Sequence, residues 1–375
     1  MNRHRIVRAV LLIAVAFGSR TAVAQAPVCA GAPGQNQVCI NPSPAATEFA
    51  GALGATPEQI TNDILNQVNN LFQTTNAAAF LRDFQNAQAF SSKGLGVDYA
   101  SETTRVEAGA TFSFASNVDK AYKPSGSSTD PPLSGGGANF SLMAGLGGRL
   151  VGLDPVMLFA NWFRWDGIKL GQLEGSYHNW GVHGQLRLFG PSTKSSVTKL
   201  LIRWGGIAIT SGVDYSRMTL NAQKNIHSSF NLPAYAVGLP MGSVTVQSSG
   251  TLTFSLQQTT WSVPLEVTTS LRLLSLFTIY GGLGIDFQLG GGSDLVIDMQ
   301  DAALSGKIPG TSGTTDLGTA SITVAQHVSP SPARLREIVG LQVGLFDVVR
   351  IFLQMNASGS SPMLASLAAG LRVGY

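Results

Sequence analysis

From Thr104 to the C-terminus the chain alternates apolar residues with polar or small ones at a period of two, the pattern of a strand with two unlike faces. In Leu173–Phe189 one face carries Trp180, Val182, Leu186 and Leu188, and the other Tyr177, Asn179, His183, Gln185 and Arg187. Phe277–Leu289 sets Phe277, Ile279, Leu283, Ile285, Phe287 and Leu289 against Thr278, Tyr280, Asp286 and Gln288. Near the end, Val349, Ile351, Leu353 and Met355 alternate with Arg350, Gln354 and Asn356, and Met363, Leu367, Leu371, Val373 and Tyr375 alternate with Ser366, Gly370 and Arg372. Thr104–Asn117, Ala138–Leu150, Pro155–Trp165, Thr198–Val213, Thr251–Leu273 and Leu335–Phe346 follow the same rule and bring the number of such segments to ten. Each is long enough to cross a bilayer as a tilted strand. Arg164 falls in phase with Leu158 and Trp162, which predicts a bulge or an interfacial strand end. Pro264 removes a ladder donor and predicts a second bulge.

Alternation alone also fits a soluble β-sandwich, so the connections decide. Gly152–Asp154, Gly190–Val197, Leu274–Leu276 and Asp347–Val348 are short. Between them lie Val118–Gly137, Asp214–Gly250 and Gly290–Arg334, long and rich in Ser, Thr, Gly and Pro. Short turns at one end and long loops at the other is the layout of bacterial outer-membrane barrels.

The period changes to a helical one before Thr104. Thr56-Pro57-Glu58-Gln59 has a Thr cap, Pro at the first helical position, an acid in the first turn and a capping-box Gln. Ile60, Ile64, Val68, Leu71 and Phe72 follow at helical spacing, and a second stretch carries Phe80, Leu81, Phe84 and Ala87 on one side. The two stretches are expected to form an amphipathic hairpin over residues 56–92. It plugs the lumen in one reading, with Glu58, Asp63 and Asp83 meeting basic lumen residues and Phe80 and Phe84 packing on Tyr177, Tyr280 and Phe352. In the other it is a solvated linker. Leu95–Ser101 admits three roles: an extra strand, a crossing inside the lumen, or a linker into the first strand.

The extreme N-terminus reads as a secretory signal peptide over residues 1–24. It has basic Arg3, Arg5 and Arg8, an apolar run Ala9–Phe17, and small Ala22 and Ala24 before the expected cleavage. Residues 25–55 are then expected to be a periplasmic tail. Its two cysteines, Cys29 and Cys39, are expected to pair as a disulfide in an oxidising compartment. A two-cysteine metal site lacks a nearby His, and no metal or other cofactor is expected. No apolar run after the signal reaches the length of a transmembrane helix.

Only 12% of the residues are charged, about half the usual share of roughly 25% in a soluble protein. The net charge of +3 points toward nucleic acid only until the signal peptide is set aside. Without its four arginines the basic residues number one fewer than the acidic ones, and no electrostatic footprint for nucleic acid remains.

These features together resemble a bacterial outer-membrane β-barrel protein: a signal peptide, alternating strands, and a last strand ending on aromatic Tyr375 with Val373, Leu371, Ala369 and Leu367 at alternate positions before it. The resemblance implies an all-β transmembrane fold, an antiparallel up-and-down barrel over residues 93–375. Ten strands are expected, or twelve if Leu95–Ser101 and part of a long loop add a pair. It implies insertion in outer-membrane lipid, with Leu371, Val373 and Tyr375 read by the barrel-assembly machinery. The expected function is a narrow or gated channel or transporter for small solutes. The second class is a surface protein whose long outer loops bind a partner, and a remote third is an outer-membrane enzyme.

With the apolar faces toward lipid, the opposite faces place nine basic residues in the lumen: Arg105, Arg149, Arg187, Lys199, Arg203, Arg272, Arg336, Arg350 and Arg372. Only Glu107, Glu266 and Asp286 are acidic there, and all the basic residues except Arg336 lie toward short turns or a chain end. This predicts a basic ring in the lower lumen, which favours anions, docks an acidic element, or simply pairs with its neighbours. Asp214, Asp294, Asp298, Asp301 and Asp316 are assigned to outer loops. No G-x-S-x-G elbow or H-E-x-x-H pair occurs, and of His178, His183, His227 and His327 only His183 falls on a lumen face, so no enzymatic activity is expected.

Overall fold

A computed structural model describes residues 27–31, 36–73, 77–100, 106–118, 135–190, 202–232, 244–274, 276–307, 313–345, 348–359 and 362–375. The strands are β1 Val28–Gly31, β2 Asn36–Pro42, β3 Val106–Asn117, β4 Gly136–Gly147, β5 Val156–Leu170, β6 Leu173–Phe189, β7 Ile202–Leu232, β8 Val244–Leu273, β9 Phe277–Lys307, β10 Thr315–Val328, β11 Ala333–Leu345, β12 Val349–Ser358 and β13 Leu364–Gly374. The helices are α1 Pro44–Ala52, α2 Pro57–Gln73 and α3 Ala77–Ser91, with a 3-10 turn at Gly148–Val151. No helix among the described residues is long and apolar enough to cross a membrane. The expected signal peptide, Arg105 and Lys199 lie outside the described residues.

The chain divides into two compact units. The larger, residues 75–224, 253–297 and 324–375, is built on a closed ring of ten strands in the order β3-β4-β5-β6-β7-β8-β9-β11-β12-β13 and back to β3. Closure is direct: Val106 N–H donates to Tyr375 O at 3.1 Å and Tyr375 N–H to Val106 O at 2.9 Å. Period-two alternation becomes two faces. Phe112, Trp162, Leu283 and Ile351 point outward with half or more of their surface exposed, while their neighbours Thr111, Asn161 and Phe352 are buried inside. An apolar outer surface around a ring without a free edge is what hydrocarbon requires, because every backbone group must be bonded internally.

The β5–β6 pairing changes register between Trp165 and Ile168, beside the expected irregularity at Arg164. Arg164 remains on the outer side and pairs with Asp166 at 2.7 Å. At Pro264 the inside-outside phase of β8 runs on unbroken, with Gln258, Thr260, Ser262, Glu266 and Thr268 all buried. Ser211 Oγ donates to Pro264 O at 2.9 Å.

The smaller unit comprises residues up to Thr74 together with 225–252 and 298–323. This corrects two expectations. Much of the expected loops Asp214–Gly250 and Gly290–Arg334 consists of strand, the far parts of β7, β8 and β9 and the added β10. The buried positions of these extensions are Val244, Val246, Ala302, Leu304, Leu317, Ala320 and Ile322, set between mostly small or polar neighbours. Of the expected tail, the described residues 27–31 and 36–55 are largely strand and helix. β1 and β2 form a hairpin in which Cys29 faces Cys39 and bonds to it. β2 pairs with β10. Ser43 then caps α1, accepting from Ala46 N–H at 3.3 Å, while its own hydroxyl donates to Asp316 O at 2.7 Å. Phe49 of α1 is buried beside Leu317 over Gly306, where a Cβ would meet its ring. The capping box of α2 forms: Thr56 N–H donates to Gln59 Oε1 at 2.8 Å and Gln59 N–H to Thr56 Oγ1 at 3.2 Å. Glu58 and Asp63 belong to this unit, whereas α3 belongs to the ring, so residues 56–92 are not one hairpin.

The filled lumen as candidate functional site

The ring is occupied by residues 77–100. Leu81, Gln85, Ala87, Ser91, Lys93, Leu95 and Val97 retain almost no exposed surface. The segment runs along the lumen in one direction. At its start Phe84 lies against Gly135, and Asn117 Nδ2 donates to Asp83 at 3.2 Å; both partners adjoin the long Val118–Gly137 connection. Further on, Gln88 Nε2 donates to Ala138 O at 3.1 Å and its Oε1 accepts from Ala138 N–H at 3.0 Å, while Asn139 Nδ2 donates to Ser91 Oγ at 2.7 Å. At its end Asp98 reaches Arg350 and Arg372, the second residue of β12 and the third from last of β13, beside the short turn and the C-terminus.

Among the described residues of the ring, apolar packing falls into three clusters, one of them Phe90 with Ala115 and Leu364. Leu81 and Phe84 join Leu256, Leu295 and Val328, with Met218, Leu220, Phe254 and Ile297 around them. Val97, Tyr99 and Ala100 join Met143, Met157, Phe159, Tyr280 and Ile338. Phe80 stacks near Phe84 at 6.1 Å between ring centroids. The expected partners of these two rings are engaged elsewhere: Tyr177 lies 6.1 Å from Phe163, Tyr280 lies 5.9 Å from Tyr99, and Phe352 lies under the Arg372 guanidinium at 3.8 Å.

Charge is concentrated at three points. Arg372 Nη1 is 3.0 Å and Arg350 Nη1 3.4 Å from Asp98, and Arg350 is also 3.5 Å from Glu107. Arg372 donates as well to Val97 O. Lys93 donates to Ser262 Oγ and lies 3.8 Å from Asp214 Oδ2, whose other oxygen is 3.1 Å from His183 Nε2. Arg336 donates to Glu266, to Asp286 Oδ2 at 3.1 Å and to Asn356 Oδ1 at 3.2 Å. Ions held away from water persist only with such partners.

The basic ring therefore differs from its expected form. Arg149 sits in the 3-10 turn, exposed, paired with Asp154 at 3.2 Å, and outside the lumen. Arg187, Arg203 and Arg272 are half-buried at the lower ends of β6, β7 and β8. Arg350 and Arg372 are neutralised by Asp98, which the sequence left in an ambiguous stretch, rather than by Glu58, Asp63 or Asp83. Asp214, assigned to an outer loop, is a buried lumen residue at the mid-height of β7. The signal that could have located Asp98 is Gly94 and Gly96, both at positive φ. A Cβ at Gly94 would lie 2.6 Å from Gln354 Nε2 and one at Gly96 2.7 Å from Asn161 Cβ, so only glycine lets the backbone pass this close to the wall. Leu371, Val373 and Tyr375 project outward from β13 and beyond it, each exposed.

A family model for Lsa36-like proteins matches residues 37–375. The chain belongs to the Lsa36-like family. Curated proteins offer no sequence match. Among solved structures the chain is similar to the Ralstonia pickettii toluene transporter TbuX, at 7% identity over 79% of this chain and 99% of that one, TM-score 0.23. It is similar also to the translocator domain of the autotransporter NalP from Neisseria meningitidis, at 13% identity over 80% and 99%, TM-score 0.30. A Pseudomonas aeruginosa FadL homologue aligns at 8% identity over 80% and 98%, TM-score 0.25. At scores this low the likeness carries nothing about ligand or residue correspondence. The closed ring and its apolar outer face make this member of the family an outer-membrane β-barrel protein.

Proposed function

We propose that the protein passes small solutes across the outer membrane and that residues 77–100 are the gate. The observation that supports this reading is that one continuous segment fills the lumen of the ten-stranded ring. A helix with its side chains is about 10–12 Å wide, so its displacement leaves a passage of that order, suited to small molecules and too narrow for general diffusion. The wall left behind is polar, with Ser113, Asn139, Asn161, Asn179, Gln185 and Thr260 facing inward. The test is a reversible lock. Cysteines at Ser91 and Asn139, whose side chains meet at 2.7 Å, tie the segment to β4 when oxidised. Single-channel openings of the reduced double variant in planar bilayers should vanish on oxidation and return with dithiothreitol. Openings that persist in the oxidised protein reject the gate.

A second reading, a surface protein that binds a partner, is favoured by one observation. Within the long connections, residues 225–232, 244–252, 298–307 and 315–323 are strand and belong to a compact unit with buried residues of its own.

A further inference from the structure

We propose that the outer wall of β5, β6 and β7 holds a membrane lipid by its phosphate, with the headgroup on Arg164, His178 and Arg217 and the acyl chains on the aromatic row beneath them. All of these residues belong to the ring unit. Arg164 stands opposite His178 in the β5–β6 ladder, and His178 stands opposite Arg217 in the β6–β7 ladder. Adjacent strands are about 4.8 Å apart, so three residues in register form a row roughly 10 Å long, the scale of one headgroup. Two positions along each strand toward its lower end, the same ladders align Trp162, Trp180 and Tyr215. Trp261 of β8 extends this second row, 4.6 Å from Tyr215 and 5.4 Å from Trp180 between ring centroids.

Depth and charge agree with this assignment. Val156–Arg164 has the roughly 9–11 residues with which a tilted strand crosses the hydrocarbon, and the outer positions of β5 below Arg164 are Leu158, Ala160 and Trp162. The basic row therefore stands at headgroup level. Its positive charge is only partly met. Arg164 spends its Nε on Asp166 at 2.7 Å, and among the described residues neither its two Nη groups nor Arg217 has a carboxylate partner. A guanidinium matches phosphate oxygens with two parallel hydrogen bonds. His178 brings a ring nitrogen into the row and lies edge-on to Tyr215 at 5.8 Å. A general aromatic girdle would encircle the barrel. All five tryptophans, Trp162, Trp165, Trp180, Trp204 and Trp261, instead lie on the neighbouring strands β5–β8. A wall that selects one lipid accounts for that concentration. The inference goes beyond the gate: it holds whether or not the lumen conducts.

The experiment uses the full chain reconstituted in phosphatidylcholine bilayers. Tryptophan fluorescence is the reporter, since it comes from β5–β8 alone. A brominated lipid quenches the tryptophans it touches, and brominated phosphatidic acid is compared with brominated phosphatidylcholine at equal mole fraction. The expected result is stronger quenching by the phosphatidic acid. Arg217→Gln should lower that preference about fivefold, and Arg164→Gln combined with Arg217→Gln should abolish it. Lys169→Gln, at an exposed residue paired with Glu174 outside the row, should leave it unchanged. Equal quenching by the two lipids overturns the proposal and leaves an ordinary girdle. So does a preference that survives in the double variant, one that falls as far with Lys169→Gln, or one that millimolar inorganic phosphate removes, which would mark a site for free anions. Arg164 and Arg217 are both exposed, so the unsubstituted chain and the two single variants keep the test standing if the double variant fails to fold.

Discussion

Both ends of the lumen segment pack on apolar side chains, but the lower end also meets two arginines, whereas the upper end also meets amides and hydroxyls. Asp98 is shared by Arg350 and Arg372 in a site from which solvent is nearly excluded. Fifteen positions earlier the contacts are Asp83 with Asn117, Gln85 with Thr260 and Ser293, Gln88 with the backbone of Ala138, and Leu81 and Phe84 in an apolar cluster. A buried ionic contact is brittle, since losing one partner strands the other without water. Contacts to amides, hydroxyls and apolar side chains fail by smaller steps. The lower end is therefore suited to fix the register of the segment, and the upper end to let go first.

The sharpest way to break this contrast is Asp98→Ala. It leaves Arg350 with Glu107, and Arg372 with the Val97 carbonyl and the Phe352 ring but no close carboxylate of its own, and the expected loss is about 3–5 kcal/mol. The measurement is the urea midpoint of the heat-modifiable, folded band in detergent. A loss under about 1 kcal/mol would remove the special status of the lower end. At the upper end Leu81→Ala deletes a fully buried side chain and should cost roughly 3 kcal/mol by the same assay. Gln88→Ala frees the Ala138 N–H and C=O from their side-chain partners, and should cost about 1–2 kcal/mol. If the gate reading holds, Asp98→Ala should raise channel open probability far more than Gln88→Ala, out of proportion to the stability difference.

This contrast was only half legible in the sequence. The ten ring strands follow from alternation, because one face had to be apolar for lipid and the other was free to be polar; Tyr177, Asn179, His183 and Gln185 are inside as their phase dictates. The capping box at Thr56 was also legible, being a local motif whose partners lie three residues apart. Asp98 was not, because Lys93–Ala100 has neither helical nor strand period and takes its shape from the walls around it. Asp214 was miscounted because β7 continues past the membrane-length alternation without any breaker to mark the limit. The strand extensions escaped notice for a related reason: away from lipid, an exposed face needs no Leu or Phe, so small buried residues such as Ala302 and Ala320 carry a period that hydropathy barely registers. α2 and α3 have similar amphipathic patterns, and amphipathicity states only that a face is covered, without naming what covers it.

The smallest expected effect bears on why the Asp98 contact matters at all. Arg164 and Asp166 approach to 2.7 Å, closer than the 3.0 Å between Arg372 and Asp98, so distance alone ranks the outer pair as the stronger. Both outer side chains are about 60% exposed, however, and water screens them from each other. Arg164→Ala should therefore change the urea midpoint by no more than about 0.5 kcal/mol, the scale of exposed pairs. The same substitution measured at low and high salt should show the small residual effect fading as salt rises, whereas the penalty of Asp98→Ala should hardly respond. If Arg164→Ala proves as costly as Asp98→Ala, burial is not what separates the lower lumen from the surface, and the case for Asp98 as the fixed point of the segment falls with it.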